Sequence, residues 1–206
     1  MILKQKQIKV QDIKTDIQEI WFIHGAASTC LSFNWLKEHL DYNKACSLDI
    51  NYSTDIPLSK TINDLADKAK GCVKPPIIIG HSLGGVIAVA VAQKASVKKI
   101  VSISSPFGGS FAASVVKWFM PTQLFKDICQ QSPVLAELKK NTPNIPILSI
   151  VTDSNLSIMG EDTDGVVTVR SQVALIGPKY VKINLNHFEV LLSEQVSNLI
   201  QTFIDK

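Results

Sequence analysis

Gly80-His81-Ser82-Leu83-Gly84-Gly85 sets one serine between glycines two residues to either side. The G-x-S-x-G spacing is that of a sharp strand-to-helix turn, in which the serine is strained and a Cβ at either flanking position would clash. Such a turn lifts Ser82 Oγ to a strand's carboxyl end, where the next helix's N-terminus favours developing negative charge. The chemistry that fits is nucleophilic attack. The plainer reading is an ordinary glycine-rich turn between a strand and a helix. The context decides between them. Ile77-Ile78-Ile79 reads as a buried strand, and the apolar run from Gly84 onward as a helix packed close to it.

A serine nucleophile at neutral pH needs a base, usually histidine, oriented by a carboxylate. The chain has four histidines. His24 and His81 sit beside a small-residue loop and the turn itself, and His39 lies on a helical stretch where packing or surface exposure explains it. His187, in Asn186-His187-Phe188, follows the last predicted strand, where an imidazole can reach back over Ser82. It is the candidate base. The acid should lie between serine and histidine in the chain. Asp153 directly follows a predicted strand, and Asp162 and Asp164 occupy a tight loop; each reads equally well as a turn residue or helix cap. Glu161, Asp162 and Asp164 also suggest a calcium loop, but the EF-hand spacing is absent.

The elements that must position these groups alternate. Residues 7–13 alternate polar and apolar, as an edge strand does. A strand over Ile17–Ile23 runs into His24-Gly25-Ala26-Ala27, a loop whose backbone N–H groups can face a ligand. A helix over Ser32–Tyr42, a strand over Ser47–Tyr52 and an amphipathic helix over Thr61–Lys70 precede the turn. After it come strands at Lys99–Ser105, Ile145–Val151 and Tyr180–Leu185, a helix around Val166–Val173, and a closing helix over Ser193–Ile204. Strands alternating with helices predict an α/β fold, a mostly parallel sheet with helices on both faces. The whole chain, 1–206, reads as one domain. Only residues 108–144 break the alternation, with helical patterns and no strand. This is expected to be a helical insertion, a lid or cap over the carboxyl ends of the strands, where ligands of parallel sheets bind.

Within the insertion Phe111, Val115, Trp118 and Phe119 give an apolar face, with Phe107 just before it. One reading closes the core with that face. The other makes Phe107, Phe111 and Trp118 the lining of an acyl pocket above Ser82, with transient contact to a membrane surface.

A net charge of +3, carried by scattered lysines with Arg170 the one arginine, argues against nucleic acid and bidentate phosphate recognition. Cys30, Cys46, Cys72 and Cys129 form no C-x-x-C pair, and are expected to be small buried thiols rather than disulfides or metal ligands. The first residues lack a signal peptide's apolar core and no run is long enough to span a bilayer, so a soluble cytoplasmic protein is expected.

His24-Gly25-Ala26, Gly80-His81-Ser82-Leu83-Gly84-Gly85, Asp164-Gly165-Val166-Val167 and Asn186-His187 together resemble small bacterial lipases and esterases of the α/β-hydrolase fold. The similarity covers most of the chain and weakens over 108–144. It implies Asp164 as the acid, because Asp-Gly-Val-Val matches the segment that carries it in such lipases. It implies an oxyanion hole on the backbone N–H groups of Ala26 and Leu83, the positions that the mechanics of the turn also favour. Ser104-Ser105-Pro106-Phe107-Gly108-Gly109 resembles the Thr/Ser-Pro-x-x-Gly segment that borders lipase sites. Many such lipases are secreted, and this N-terminus shows no export signal. The resemblance implies hydrolysis of a small-molecule ester or lipid through an acyl-enzyme on Ser82, with no metal or organic cofactor. The same triad would serve a thioesterase or acyltransferase, and the fold also supports a non-catalytic binding module.

Overall fold

Runs that are apolar at every position can stand only inside a sheet covered on both faces, and the chain supplies several. The computed structural model describes residues 17–42, 45–53, 55–109, 132–158 and 160–206. Its strands are β1 (Gln18–Ile23), β2 (Ala45–Ile50), β3 (Ile77–His81), β4 (Lys99–Ile103), β5 (Ile147–Thr152), β6 (Leu156–Ile158), β7 (Glu161–Thr163) and β8 (Lys179–Ile183). Its helices are α1 (Asn34–Glu38), α2 (Leu58–Gly71), α3 (Leu83–Ala92), α4 (Pro133–Lys140), α5 (Val169–Gln172) and α6 (Glu194–Asp205). The six-stranded sheet runs β2-β1-β3-β4-β5-β8, parallel throughout, and β6 and β7 form a separate antiparallel pair. It is the α/β-hydrolase architecture expected.

Successive side chains of a strand point to opposite faces, so each central strand feeds two cores. Trp21, Ile23, Ile78 and Ile100 pack with α2 and α3, while Ile20, Phe22, Ile77, Ile79, Val101 and Ile103 pack with α1 and α6. Helix α3 is buried on every side, between the sheet, α2 and α4, which explains why it reads as uniformly apolar. Gly84 is where α3 passes closest to β1: a Cβ there would overlap the carbonyl oxygens of Ile23 and His24.

Three elements differ from expectation for identifiable reasons. The Ser32–Tyr42 helix is a 3-10 turn at Cys30–Phe33 followed by α1, which stops at Glu38. The His39 ring donates from Nδ1 to the Trp35 carbonyl at 2.7 Å, taking the acceptor that His39 N–H would use in a continuing helix; that N–H bonds Leu36 O at 3.1 Å instead. The helix around Val166–Val173 shrinks to α5, because Val166 and Val167 N–H are held by the Asp164 carboxylate. The β6–β7 pair was not foreseen; its three-residue strands are too short to show a period. The edge strand over 7–13 and most of the insertion, 110–131, lie outside the described residues.

Cys30, Cys46 and Cys72 are not disulfide-bonded, but only Cys30 is buried as expected: Cys46 is exposed on edge strand β2 and Cys72 is half-buried; Cys129 lies outside the described residues. No described helix is long and apolar enough to cross a membrane.

Gly84→Ala should lower the denaturant midpoint sharply, because the added methyl meets backbone that cannot move without separating α3 from β1. Gly71→Ala, at a helix end with nothing within 4 Å of the new Cβ, should leave the midpoint unchanged or raise it, adding up to about 1 kcal/mol of stability. Equal effects would mean that close packing at Gly84 does not matter.

Candidate active site

The sheet order reverses at β1, with β2 on one side and β3 on the other. The loops after β1 and β3 therefore leave toward opposite faces, opening a crevice at their carboxyl ends. His24-Gly25-Ala26-Ala27 follows β1 and Ser82 follows β3, so both candidate segments border that crevice.

Ser82 has φ 51° and ψ −119°, a conformation non-glycine residues rarely adopt. Its N–H donates to Ile103 O at 2.8 Å, and its carbonyl accepts from Gly85 N–H at 3.1 Å. Ser82 retains 8% exposure where Leu83 beside it retains 1%. Leu83 opens α3, so its N–H has no acceptor within the helix. Among the described residues neither that N–H nor the Ala26 N–H is taken by a hydrogen bond.

The loop after β1 is pinned by its own histidine. His24 Nδ1–H donates to Gly25 O at 2.7 Å, and the ring stacks on Tyr52 with centroids 4.4 Å apart. The Tyr52 hydroxyl donates to His24 O at 3.0 Å. Burial pushes the His24 pKa down, in keeping with a neutral, structural imidazole.

His187 sits after β8, 3% exposed, and its Nδ1–H donates to Asp164 Oδ2 at 2.7 Å. In its uncharged form the ring, with its one proton on Nδ1, presents Nε2 as an acceptor. Its backbone is held as well: His187 N–H donates to Asp164 O at 3.1 Å, and His81 Nε2–H donates to His187 O at 2.9 Å. His81 is therefore no bystander. Burial first, then the neighbouring His187, pushes its pKa down to about 3, so it stays neutral behind the His187 ring, 4.7 Å away. Phe188, two-thirds exposed, meets the His187 ring edge-on at 5.3 Å.

Asp164 is 1% exposed, yet its carboxylate is fully bonded. Oδ1 accepts from Val166 N–H at 2.9 Å and Val167 N–H at 2.7 Å. Oδ2 accepts from the Thr152 hydroxyl at 2.6 Å as well as from His187. Burial alone would raise its pKa, but the hydrogen bond and charge of His187, with the Thr152 and Val167 bonds, hold it below the usual carboxylate range. The other two aspartates are elsewhere. Asp153, 3% exposed, pairs with Lys182 at 2.6 Å and accepts from Asn155 N–H at 2.9 Å, and Lys182 holds its pKa down. Asp162 is exposed on β7. The acidic residues of this loop are not gathered on one centre: among the described residues no three His, Cys, Asp or Glu side chains could hold a metal ion.

Phe107 is fully buried in the core cluster of Leu83, Leu135 and Leu138. Phe111 and Trp118 lie outside the described residues. Sequence reasoning passed over Thr152, Gln172 and Tyr52, since nothing in a threonine at a strand end or a glutamine in a helix marks a carboxylate's partner.

The model of the alpha/beta hydrolase family matches residues 22–150. The chain belongs to the alpha/beta hydrolase family. That membership supports a hydrolase-type reaction. No curated protein matches this hydrolase significantly by sequence. Among solved structures, a lipase-esterase related protein from Clostridium acetobutylicum superposes with TM-score 0.66 at 16% identity, covering 90% of this chain and 94% of its own. Aspergillus fumigatus lipase B gives 0.71 at 13%, covering 92% and 53%, and a Bacillus licheniformis lipase in mature form gives 0.65 at 13%, covering 92% and 91%. At these identities the likeness is one of fold.

The hydrolase should lose stability in mild acid through His81. Its folded pKa near 3 lies below the unfolded value near 6.5, so below pH 6.5 the unfolded chain binds a proton the native protein refuses. The contribution is complete above pH 6.5 and declines as pH falls toward 3, at up to about 1.4 kcal/mol per pH unit. Urea midpoints measured from pH 7 to 4.5 should fall more steeply for wild type than for His81→Gln, which keeps an N–H donor but does not titrate. Parallel curves would contradict the assignment.

Proposed function

We propose that this hydrolase cleaves carboxylic esters through an acyl-enzyme on Ser82. The observation that carries the reading is the 2.7 Å bond from His187 Nδ1–H to Asp164, which leaves Nε2 as acceptor at the sheet edge where Ser82 stands at φ 51°. In this reading His187 Nε2 takes the Ser82 proton as Oγ bonds to the ester carbonyl carbon. Asp164 holds the tautomer and stabilises the imidazolium. The N–H groups of Ala26 and Leu83 receive the oxyanion, and losing one such donor typically costs about 3 kcal/mol of barrier. Collapse of the intermediate breaks the C–O bond, and the alcohol departs with the proton from His187. Water, deprotonated by His187, then attacks the acyl-enzyme and releases the acid. No metal or organic cofactor enters, and the substrate is a small-molecule ester or lipid.

The test is p-nitrophenyl acetate turnover across single substitutions. Ser82→Ala should fall to background without unfolding. Asp164→Asn should lower kcat by about 10⁴, the scale seen when a triad imidazole loses its carboxylate. Asp153→Asn and Asp162→Asn should lower it far less. An active Ser82→Ala protein, or Asp153→Asn as the most damaging change, would overturn the assignment.

A further inference from the structure

We infer that Ser104, Thr152 and Gln172 act as positioning residues for Asp164, a directed chain of hydrogen bonds that holds its carboxylate facing His187. The inference rests on the roles proposed above for that pair. All four side chains meet in a closed space: Ser104 and Thr152 are 0% exposed, Gln172 and Asp164 1%. They come from four separate places, the turn after β4, the end of β5, α5, and the loop after β7.

Counting protons gives the chain a direction. Thr152 Oγ1 lies 2.6 Å from Asp164 Oδ2, 2.7 Å from Ser104 Oγ and 3.3 Å from Gln172 Oε1. A hydroxyl has one proton and an ionised carboxylate can only accept, so Thr152 donates to Asp164. Across the 2.7 Å contact Ser104 must then be the donor. Ser104 O–H points to Thr152 O–H, which points to Asp164, and each bond polarises the next. Gln172 fixes the middle link. Its Oε1 accepts from Thr152 N–H at 2.8 Å and its Nε2 donates to Thr152 O at 2.8 Å, gripping the strand end as a neighbouring strand would. The second amide proton is directed at Asp164 Oδ2 across 3.4 Å.

Packing alone does not ask for this arrangement. Valine has nearly the shape of threonine and would fill position 152 without burying a hydroxyl. Ser104 also holds φ 53°, a conformation that costs a non-glycine residue about 1–3 kcal/mol and concentrates at functional sites. The other charged or titratable groups nearby are accounted for: His187 takes Oδ2 from the far side, neutral His81 lies behind it, and Asp153 is neutralised by Lys182. The relay therefore has one target.

The experiment compares Thr152→Val, Thr152→Ser and Ser104→Ala with wild type in two measurements. One is the low-field proton resonance of His187 Nδ1–H by NMR; the other is the pH dependence of kcat/KM for p-nitrophenyl acetate. Removing the donor at residue 152 concentrates negative charge against His187. The resonance should move downfield and the acid limb of kcat/KM should rise by about half a pH unit. At the optimum kcat should fall about tenfold with KM unchanged, as expected when the carboxylate that orients His187 is held less well while substrate binding is untouched. Thr152→Ser should restore all three. Ser104→Ala, which removes only the upstream donor, should move them the same way by less, and carries the test if Thr152→Val does not fold. Resonances and acid limbs identical to wild type, with lowered stability alone, would overturn the inference. Failure of wild type to turn over ester would end the functional reading instead, while the NMR comparison would still decide the relay.

Discussion

Ser82 is held at φ 51° and ψ −119°, a backbone conformation that costs about 1–3 kcal/mol and survives only where its surroundings leave no alternative. Those surroundings are the centre of the fold. The Ser82 N–H is tied to Ile103 O at the end of β4, and α3 begins at the next residue, walled in by the sheet, α2 and α4. Gly84 lets α3 enter against the last carbonyl oxygens of β1. The chain cannot relax Ser82 without moving α3, and cannot move α3 without opening the core of Leu83, Val86, Ile87 and their neighbours. The same packing brings the N-terminus of α3 beside the His24-Gly25-Ala26 loop, so the strain that exposes one hydroxyl also fixes the free N–H groups around it.

The second constraint is a buried charge. Asp164 can stay ionised out of water only because both carboxylate oxygens are bonded, and leaving one such partner unmade typically costs about 1–3 kcal/mol. The β6–β7 pair carries the chain back to make this possible. Ser154 binds Thr163 O through both its N–H and its hydroxyl, at 3.1 and 2.8 Å, and Thr163 in turn donates to Val167 O at 3.0 Å. The short hairpin thus returns Asp164 to the end of β5, where Thr152 meets it. Stability and the orientation of His187 draw on the same bonds.

What could be read in the sequence follows from which forces are local. Ile77-Ile78-Ile79 and Gly80-x-Ser82-x-Gly84 announce a buried strand and a sharp turn, because sterics at a strand–helix junction demand those residues within a few positions. The period-2 division of Ile20–Ile23 between two cores is local in the same sense. The aspartates are not. Asp153, Asp162 and Asp164 differ only in what the folded chain brings to them, a lysine from β8, solvent, and a histidine 23 residues on. Only the resemblance to lipases favoured Asp164, and the hairpin that turns it inward left no periodic trace. The bonds that His81 and Thr152 make could not be read because their partners lie 106 and 12 residues away. Helix α1 ended early on a single side-chain bond, from His39 to Trp35, that no hydrophobic pattern records.

The most direct measurement of the central claim is covalent. The protein would be treated with a fluorophosphonate, digested, and the modified peptide identified by mass spectrometry, with Ser82→Ala alongside. One phosphonyl adduct per chain is expected, on Ser82 Oγ, formed quickly by wild type, more slowly by Asp164→Asn and not at all by Ser82→Ala. An adduct on another serine, or an unlabelled wild-type protein whose fold is intact, would contradict it.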